Sequence, residues 1–372
     1  MASFLFSSQT PMHIIHVDPE MGFSGGEVQV FLLIDGLVAR GHTCTVIAQP
    51  NSLVEQAARE RNVPCRTLRM RADWDVFAVR KLTKILGDLA PDVVHLHTGR
   101  ANWLGGWAAK RAGLTAVSTR RMDRDVKRNL KTRRIYGEFV ARTAAISPAV
   151  LKQLHAGGVP PENTELIWSV VDPDQLQPTL PREQIRQDLG LHPGQPMVFA
   201  AGALVGRKGF DCLIEAFAKV PQGAVLCIAG GGPEGGSLEG MVAALGVSDS
   251  VRLLGERSDM PNMLAAADIF AMPSRAEGLG IAALEAMAVA LPVLASAVGG
   301  LQDLVLHGET GRLLPAGDVQ AWAAALERML SDPETAQRLG RAGQRRVEQS
   351  FLPAGMVEAY EKLYLKAQQG RD

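Results

Sequence analysis

Aromatic residues, charge of one sign and long apolar runs are all in short supply in this 372-residue chain. Aromatics make up 5% of the residues, and the 39 basic side chains are matched by 39 acidic ones. This balance argues against a dedicated nucleic-acid binder, and a hydrophobic content of 47% excludes a disordered chain. With few rings and 38 glycines, the core must be built from small and aliphatic side chains, which favours an α/β protein.

The longest runs without a charged residue are 1–17 and 286–302, each of 17 residues, and the second contains Pro292. A membrane-spanning helix needs about 20 residues, so we expect no transmembrane segment. Residues 1–10 lack the Lys or Arg that precedes a secretory signal, and we interpret them as an untidy leader or as the result of a start codon upstream of Met12. The predicted location is cytoplasmic.

Metal and disulfide sites are not expected either. The four cysteines are scattered, with no C-x-x-C and no Cys/His cluster, which indicates buried thiols: Cys44, Cys65, Cys212 and Cys227. Two D-x-D pairs occur, but 123–125 lies among cations and 172–174 in a proline-rich stretch, so neither predicts a metal site. We therefore predict no cofactor and no metal.

Two domains are indicated by charge and by pattern. Up to residue 180 there are 22 basic and 17 acidic residues, and from 181 onward 17 and 22. In each half short aliphatic runs alternate with amphipathic stretches, which predicts strands joined by helices and hence a parallel sheet. The proline-rich stretch 172–181 lies between the halves. The predicted divisions are 11–178, 179–350 and a C-terminal helix within 351–372 that returns to the first domain.

Two glycine-rich segments follow predicted strands. Residues 22–26 read Gly-Phe-Ser-Gly-Gly before a helix, where a phosphate or sugar could bind the free amides; a plain turn, or a hydrolase elbow with Ser24 as nucleophile, are the alternatives. Residues 230–235 match G-x-G-x-x-G, the pattern of dinucleotide-binding oxidoreductases. Pro233 interrupts the turn and the helix starts late, which makes the match weak.

The most informative segment is 273–287, which runs from the end of a buried strand into an alanine-rich helix. Glu277 lies in the loop and Glu285 about one turn inside the helix. A carboxylate so placed can accept two hydrogen bonds from a ribose diol, and the loop amides can bind a diphosphate. The alternative is an acidic residue that complements the helix dipole together with a solvated glutamate.

The same segment carries a family resemblance. Residues 267–274 precede the two glutamates, and Val298-Gly299-Gly300 and residues 307–311 follow them. Together these segments resemble glycosyltransferase family 4, whose members are retaining enzymes of the GT-B fold. The likeness also includes Gly25-Gly26 and Lys208-Gly209, so that it covers nearly the whole chain.

The resemblance implies two Rossmann-like domains that face each other across a cleft, with the acceptor bound by the first and a nucleotide-sugar by the second. It implies catalytic roles for His97, Glu277 and Lys208, with Lys208 neutralising the leaving diphosphate and Glu285 binding the ribose. Front-face transfer is implied, because no carboxylate can be assigned as a covalent nucleophile. The implied donor-binding residues are Gly25, Gly26, Arg207, Lys208, Gly278, Leu279, Gly280 and Glu285.

Two features of this sequence bear on that assignment. Ala203 stands where the family usually has an arginine, and we expect Arg207 to replace it. His97 follows a predicted buried strand and matches the family's active-site histidine, although a core histidine is the alternative; His95 is expected on the opposite face of the sheet.

A basic segment, 120–134, contains eight cations, with Met122, Val126 and Leu130 at helical spacing. It predicts a basic amphipathic helix that binds an anionic membrane leaflet or a phosphorylated glycolipid, the alternative being a solvated face. The segment contains no aromatic residue, which argues against nucleic-acid binding. The predicted contact residues are Arg120, Arg121, Arg124, Lys127 and Arg128.

These observations predict a retaining glycosyltransferase that moves a hexose-type sugar from a nucleotide-sugar to a glycan or glycolipid of the cell envelope. It would lie in the cytoplasm, peripheral at the inner face of the membrane. The alternatives are a GT-B sugar-nucleotide epimerase and a non-catalytic module that binds sugar nucleotides or membranes.

Overall fold

The computed structural model describes residues 10–220 and 223–370. The leader predicted for residues 1–10 lies outside this part of the chain, except for Thr10. Two compact units are present: one comprises the residues up to 146, 151–167 and the residues from 353 onward, and the other comprises 147–150 and 168–352. Among the helices that the structure describes, none is both long and apolar enough to cross a membrane.

The first unit contains a seven-stranded parallel sheet in the order β3-β2-β1-β4-β5-β6-β7. Its strands are β1 (His13–Asp18), β2 (Thr43–Ala48), β3 (Cys65–Thr67), β4 (Val93–Leu96), β5 (Ala116–Arg120), β6 (Arg142–Ala145) and β7 (Thr164–Leu166). The helices that follow them in sequence are α1 (Gly25–Ala39), α2 (Leu53–Glu60), α3 (Val76–Leu89), α4 (Gly99–Ala112), α5 (Leu130–Arg134) and α6 (Pro148–Ala156), the last of which begins in the other unit.

The second unit contains a six-stranded parallel sheet in the order β10-β9-β8-β11-β12-β13. Its strands are β8 (Met197–Ala201), β9 (Val225–Ala229), β10 (Val251–Leu253), β11 (Ile269–Met272), β12 (Val293–Ser296) and β13 (Arg312–Leu314). Its helices are α7 (Arg182–Asp188), α8 (Phe210–Phe217), α9 (Gly235–Ala244), α10 (Met260–Ala266), α11 (Ile281–Ala288), α12 (Leu301–Leu304), α13 (Val319–Ser331) and α14 (Pro333–Ser350). The predicted α/β class with parallel sheets is confirmed.

The last helix, α15 (Pro353–Gln369), belongs to the first unit and packs against α1. Arg40 donates a hydrogen bond of 2.6 Å to Glu361 Oε2, and His42 Nε2 lies 3.0 Å from Glu361 Oε1. The backbone N–H of Met12 donates to His42 Nδ1, so His42 carries its proton on Nε2 and donates it to Glu361. A buried carboxylate with two donors thus anchors α15 to the first unit.

The two helices approach closely because α1 has a glycine at the contact. A Cβ built on Gly36 would lie 2.4 Å from Cγ2 of Val357, a side chain that is itself buried. We expect Gly36→Ala to lower the free energy of unfolding of the first unit by about 1–3 kcal/mol, because the added methyl overpacks this contact. Denaturant unfolding measures the change.

Two variants control for the gain in helix propensity that alanine brings. Gly87→Ala on α3 adds a Cβ with no heavy atom within 4 Å, so it should be neutral or stabilise by up to about 1 kcal/mol. Val357→Ala combined with Gly36→Ala should recover part of the loss. Equal effects of the two single glycine substitutions would contradict the close contact.

Candidate active site

Chemistry-bearing side chains collect at the carboxyl edge of each sheet. In the first unit β1 and β4 are neighbours in the sheet, although β2 and β3 lie between them in sequence. In the second unit β8 and β11 are neighbours, although β9 and β10 lie between them in sequence. At such positions successive crossovers run to opposite sides and leave a crevice at the carboxyl ends of the strands. His97 follows β4, and Glu277 lies in the loop after β11.

Three buried histidines meet at this edge of the first unit: His16 on β1, His95 on β4 and His97 just beyond it. His16 Nδ1 lies 3.0 Å from His97 Nε2, and the ring centroids of His95 and His97 are 4.0 Å apart. The prediction that His95 points to the opposite face from His97 was wrong. Residues two apart in a strand share a face, and His95 also pairs in register with His16.

Helix α15 supports this cluster through hydroxyl groups. Tyr364 Oη lies 2.8 Å from His95 Nδ1, and Thr119 Oγ1 lies 2.7 Å from His95 Nε2. Tyr360 Oη is in turn 2.7 Å from Thr119 Oγ1. Both nitrogens of His95 are therefore occupied, and the ring beside His97 is fixed by a tyrosine of the last helix and a threonine of β5.

Arg121 follows β5 and joins the cluster. Its guanidinium lies 3.4 Å from His97 Nδ1 and donates at 3.3 Å to the His97 carbonyl oxygen. A Cβ on Gly26, at the start of α1, would lie 3.6 Å from Arg121 Cδ. Arg121, predicted as part of an exposed basic face, is instead half-buried beside the histidines.

Burial keeps the histidines uncharged. Desolvation, with a smaller contribution from Arg121, lowers the pKa of His16 to about 3, and burial lowers the pKa values of His95 and His97 well below the usual range. One nitrogen of each ring lies within 4.8 Å of the others, a spacing that a metal could use. However, both nitrogens of His95 are hydrogen-bonded and Arg121 brings a positive charge, so the arrangement suits a hydrogen-bonded network better than a dication.

Glycine-rich residues 22–26 form the N-terminus of α1. Ser24 is its N-cap, and Glu27 completes a capping box by accepting from the Ser24 backbone N–H and hydroxyl, both at 2.7 Å. Because its hydroxyl is committed to this cap, Ser24 does not fit the nucleophile of a hydrolase. Gly25 and Gly26 form the first turn, next to Arg121.

Asp18, the last residue of β1, was not identified from the sequence. It is 1% exposed, and burial together with the nearby Glu27 raises its pKa to about 7. A carboxylate at the carboxyl end of a buried strand was the available signal.

The second unit places Lys208 and Glu277 in direct contact. The Lys208 ammonium donates to Glu277 Oε1, and the Ser274 hydroxyl donates to the same oxygen at 2.9 Å. Arg207 is more exposed, with its guanidinium 3.8 Å from that oxygen. Glu277 is thus a buried carboxylate held by one cation and one hydroxyl, with a second cation at its edge.

The loop that follows Glu277 runs directly into the N-terminus of α11. Gly280 is the N-cap with φ 101°, a conformation that favours glycine, and a Cβ there would lie 2.5 Å from Leu301 Cδ2. The Leu279 side chain is buried, so at Gly278, Leu279 and Gly280 only backbone groups are available to a ligand. This is the arrangement that an anion at a helix N-terminus requires.

Glu285 lies about one turn into α11 and is partly exposed. Desolvation by the surrounding atoms raises its pKa to about 7. Titratable groups with pKa values shifted in this way are concentrated at functional sites.

Ala203 provides no guanidinium at the position where the family usually has an arginine, and the Lys208 side chain lies next to the preceding glycine. Gly202 has φ 152°, and a Cβ there would lie 3.3 Å from Lys208 Cε, so the Lys208 side chain runs along this glycine. Ala203 itself is exposed. Among the described residues near Glu277, Arg207 is the cation next closest after Lys208.

The G-x-G-x-x-G match at 230–235 has a packing explanation. A Cβ on Gly230 would lie 1.9 Å from the Gly202 carbonyl oxygen, and one on Gly232 would lie 2.5 Å from the Leu204 carbonyl oxygen. These glycines let the loop after β9 pack against the loop after β8. Loop packing therefore accounts for the glycine pattern without a dinucleotide.

The helix predicted for the basic segment was wrong. Residues 121–129 are irregular and only 130–134 form a short α-helix. Tertiary contacts override the helical spacing: Val126 packs on Gly157, and Arg128 Nε donates to the Ala156 carbonyl oxygen at 2.9 Å. Arg120 is half-buried, whereas three cations of the predicted set are exposed: Arg124, Lys127 and Arg128.

Comparison with known proteins agrees with this geometry. Residues 23–175 match the family model described as Glycosyltransferase Family 4, and residues 181–346 match Glycosyl transferases group 1. A D-inositol 3-phosphate glycosyltransferase of Jonesia denitrificans is 32% identical over 314 residues, which cover 74% of this chain and 73% of that protein. The lipopolysaccharide core biosynthesis glycosyltransferase LpsE of Rhizobium meliloti is 36% identical over 168 residues, or 45% of this chain and 49% of its own length.

A solved structure shares the fold. HepE of Anabaena, in complex with UDP-glucose, has a TM-score of 0.85 at 23% identity, covering 94% of this chain and 98% of its own. The predicted architecture of two Rossmann-like domains of the GT-B type is confirmed.

The raised pKa of Glu285 has a consequence for stability. Because the folded state binds this proton more tightly than the unfolded state, the wild type should lose stability as pH rises from about 4.5 to about 7. At pH 8 we expect Glu285→Gln to be more stable than wild type by about 1–2 kcal/mol, a value that is reduced because the side chain is partly exposed. Near pH 4.5 the two proteins should be equally stable.

Urea unfolding at the two pH values measures the difference. Glu327→Gln, on the exposed face of α13, is the matched control and should change stability little at either pH. Parallel pH dependence of Glu285→Gln and wild type would show that folding does not raise the pKa of Glu285.

Proposed function

The chain belongs to glycosyltransferase family 4, and on that premise we propose that it transfers a hexose-type sugar from a nucleotide-sugar to a hydroxyl of a glycan or glycolipid, with retention of anomeric configuration. The observation that carries the proposal is the Lys208–Glu277 pair at the backbone amides that lead into α11. The name of one relative, a lipopolysaccharide core biosynthesis glycosyltransferase, supports a glycolipid acceptor. The name of another, a D-inositol 3-phosphate glycosyltransferase, supports a hydroxyl acceptor but not a glycan or glycolipid.

The donor is assigned to the second unit. The amides of Gly278, Leu279 and Gly280 bind the diphosphate, and Glu285 accepts hydrogen bonds from the two ribose hydroxyls. Lys208, with Arg207 in place of the arginine missing at Ala203, neutralises the charge that the leaving group gains. Glu277 orients Lys208 and accepts a hydrogen bond from the sugar.

The acceptor is assigned to the first unit, with Arg121 as one of its polar groups. His97 is assigned its catalytic role, and the amides of Gly25 and Gly26 are assigned to the donor. In the reaction the bond between the anomeric carbon and the phosphate oxygen breaks, and the acceptor oxygen forms a bond to that carbon on the same face. The acceptor proton passes to the departing phosphate. Oriented amides and cations stabilise this charge development, so no step requires a metal.

A screen of nucleoside diphosphates and nucleotide-sugars by thermal shift, followed by donor hydrolysis and transfer assays, tests this proposal. A bound donor should raise the melting temperature by an amount that grows with the logarithm of its concentration relative to Kd. We expect Glu277→Gln to lower kcat about 10²- to 10³-fold, because Lys208 loses its anchor and the donor sugar loses a partner. The exposed Glu327→Gln should leave kcat unchanged.

The remaining elements of the proposal have separate readouts. The product should keep the donor's anomeric configuration in its NMR coupling constant, and EDTA should leave the rate unchanged. Binding without turnover by any donor would support the non-catalytic module, and conversion of the free sugar nucleotide would support the epimerase.

We further propose that the first unit associates with the anionic inner face of a membrane, since an exposed aromatic surface lies beside cations. Trp74 and Phe77 are more than four-fifths exposed. Lys131 forms an ion pair with Asp73, and its ammonium lies 5.7 Å from the ring centroid of Trp103. Trp103 in turn lines a cavity of about 450 Å³. The cavity is lined by Trp103, Trp107, Phe139, Lys110, Arg111, Arg134 and Glu138.

Tryptophan rings and cations are the groups that anchor peripheral proteins at an anionic interface. We expect Trp74→Ser with Phe77→Ser to lower sedimentation with phosphatidylglycerol vesicles at least about threefold, and reversal of Arg124, Lys127 and Arg128 to glutamate to do the same. Donor hydrolysis should be unaffected by either variant.

Leu245→Ser, at an exposed apolar residue of the second unit, is the control. Unchanged sedimentation of both variants would reject the membrane role. Normal sedimentation with weaker acceptor binding would identify the aromatic surface as a glycan platform.

A further inference from the structure

His16 is a buried residue of the first unit to which the sequence reasoning gave no role. It is 0% exposed, its ring lies nearly parallel to that of His97 at an interplanar angle of 8°, and its Nδ1 is 3.0 Å from His97 Nε2. No carboxylate hydrogen-bonds either ring among the described residues, so a second histidine takes the place that an acidic orienting group usually occupies.

The proton positions in this cluster follow from Arg121. A guanidinium has only N–H donors, so in its contact at 3.4 Å the Nδ1 atom of His97 must be the acceptor. A neutral imidazole then carries its proton on Nε2. That N–H donates to His16 Nδ1, and His16 in turn carries its own proton on Nε2.

We infer that His16 is a positioning residue that holds His97 in its Nε2–H tautomer and so keeps Nδ1 of His97 an acceptor. Its single lone pair accepts the long contact from Arg121 in the free protein, and a sugar hydroxyl takes that place when a sugar is bound. The inference rests on the proposed function, because it assumes that a sugar reaches His97. It assigns His97 the role of a neutral hydrogen-bond acceptor and excludes a role as an acid.

Three observations support the inference. His16 Nε2 is buried with no hydrogen-bond partner in the described ranges 10–220 and 223–370, so an aliphatic side chain would serve the core better. Burial and Arg121 lower the pKa values of both rings, which keeps them neutral as the tautomer requires. His95, fixed by Tyr364 and Thr119, lies with its ring centroid 4.0 Å from that of His97 and restricts the rotation of that ring.

Two substitutions separate positioning from packing. His16→Asn places an amide oxygen near the position of Nδ1 and retains the acceptor, whereas His16→Leu fills similar volume without it. We expect His16→Leu to lower kcat about tenfold to a hundredfold, because one positioned hydrogen bond is lost. The donor KM should change by less than about threefold. His16→Asn should stay within about threefold of wild type on the same scale.

The melting temperature of His16→Leu should remain close to that of wild type. The variant removes the unpaired Nε2–H of His16, but it leaves the Nε2–H of His97 without its acceptor. His13→Asn, at the amino end of the same strand and bonded to Thr45, is the matched control and should leave kcat unchanged. A kcat of His16→Leu equal to that of wild type would overturn the inference.

The tautomer is observed directly in the free protein by long-range ¹H–¹⁵N NMR of histidine-labelled samples, with His97 assigned by its absence in His97→Asn. We expect the Nε2–H pattern in wild type and His16→Asn, and a mixture of tautomers in His16→Leu. An Nδ1–H pattern in wild type overturns the inference even if His16→Leu does not fold. Absence of transfer from any donor refutes the proposed function, while the NMR pattern still decides the role of His16.

Discussion

The parallel order of the strands is the constraint on which the rest of the structure depends. Every strand of both sheets ends at the same edge, so residues that are 81 positions apart, such as His16 and His97, come within hydrogen-bond distance. The second sheet brings Lys208, after β8, to Glu277, after β11, in the same way. Parallel strands are covered by helices on both faces, so their ends are where polar groups can meet a ligand.

Desolvation decides the charges at these edges more than pairing does. Burial, and to a lesser extent the neighbouring Arg121, keep the histidine rings neutral, and the carboxyls of Asp18 and Glu285 have pKa values near 7 because burial disfavours their ionised forms. Glu277 is the contrasting case, since a lysine and a serine hydroxyl hold its buried carboxylate. One unit therefore presents largely uncharged hydrogen-bonding groups and the other an ion pair, which suits sugar hydroxyls in the first case and a diphosphate in the second.

The parallel sheets could be predicted from the sequence, because strand and helix periods are local. The family resemblance around 273–287 assigned Glu277 and Lys208 to one site, but it did not predict their direct contact. Side-chain neighbours set by strand register could not be predicted. His16 and Arg121 join His97 only because β1 and β5 flank β4. The helix expected at 120–134 failed for a related reason: its spacing was helical, but contacts with residues 156–157 hold most of the segment in an irregular conformation. Local propensity is a weak guide where distant residues supply the partners.

Helix α15 completes the first unit, although it is the last helix of the chain to be synthesised. The sheet of the first unit is made by residue 166, yet the tyrosines that fix His95 and the glutamate that receives Arg40 and His42 lie beyond residue 353. A nascent chain must therefore produce all of the second unit before the first can close over its own histidines. During that interval the α1 surface that α15 covers, including the groove at Gly36, stays open to water and to chaperones, so the unit begun first on the ribosome is the one completed last.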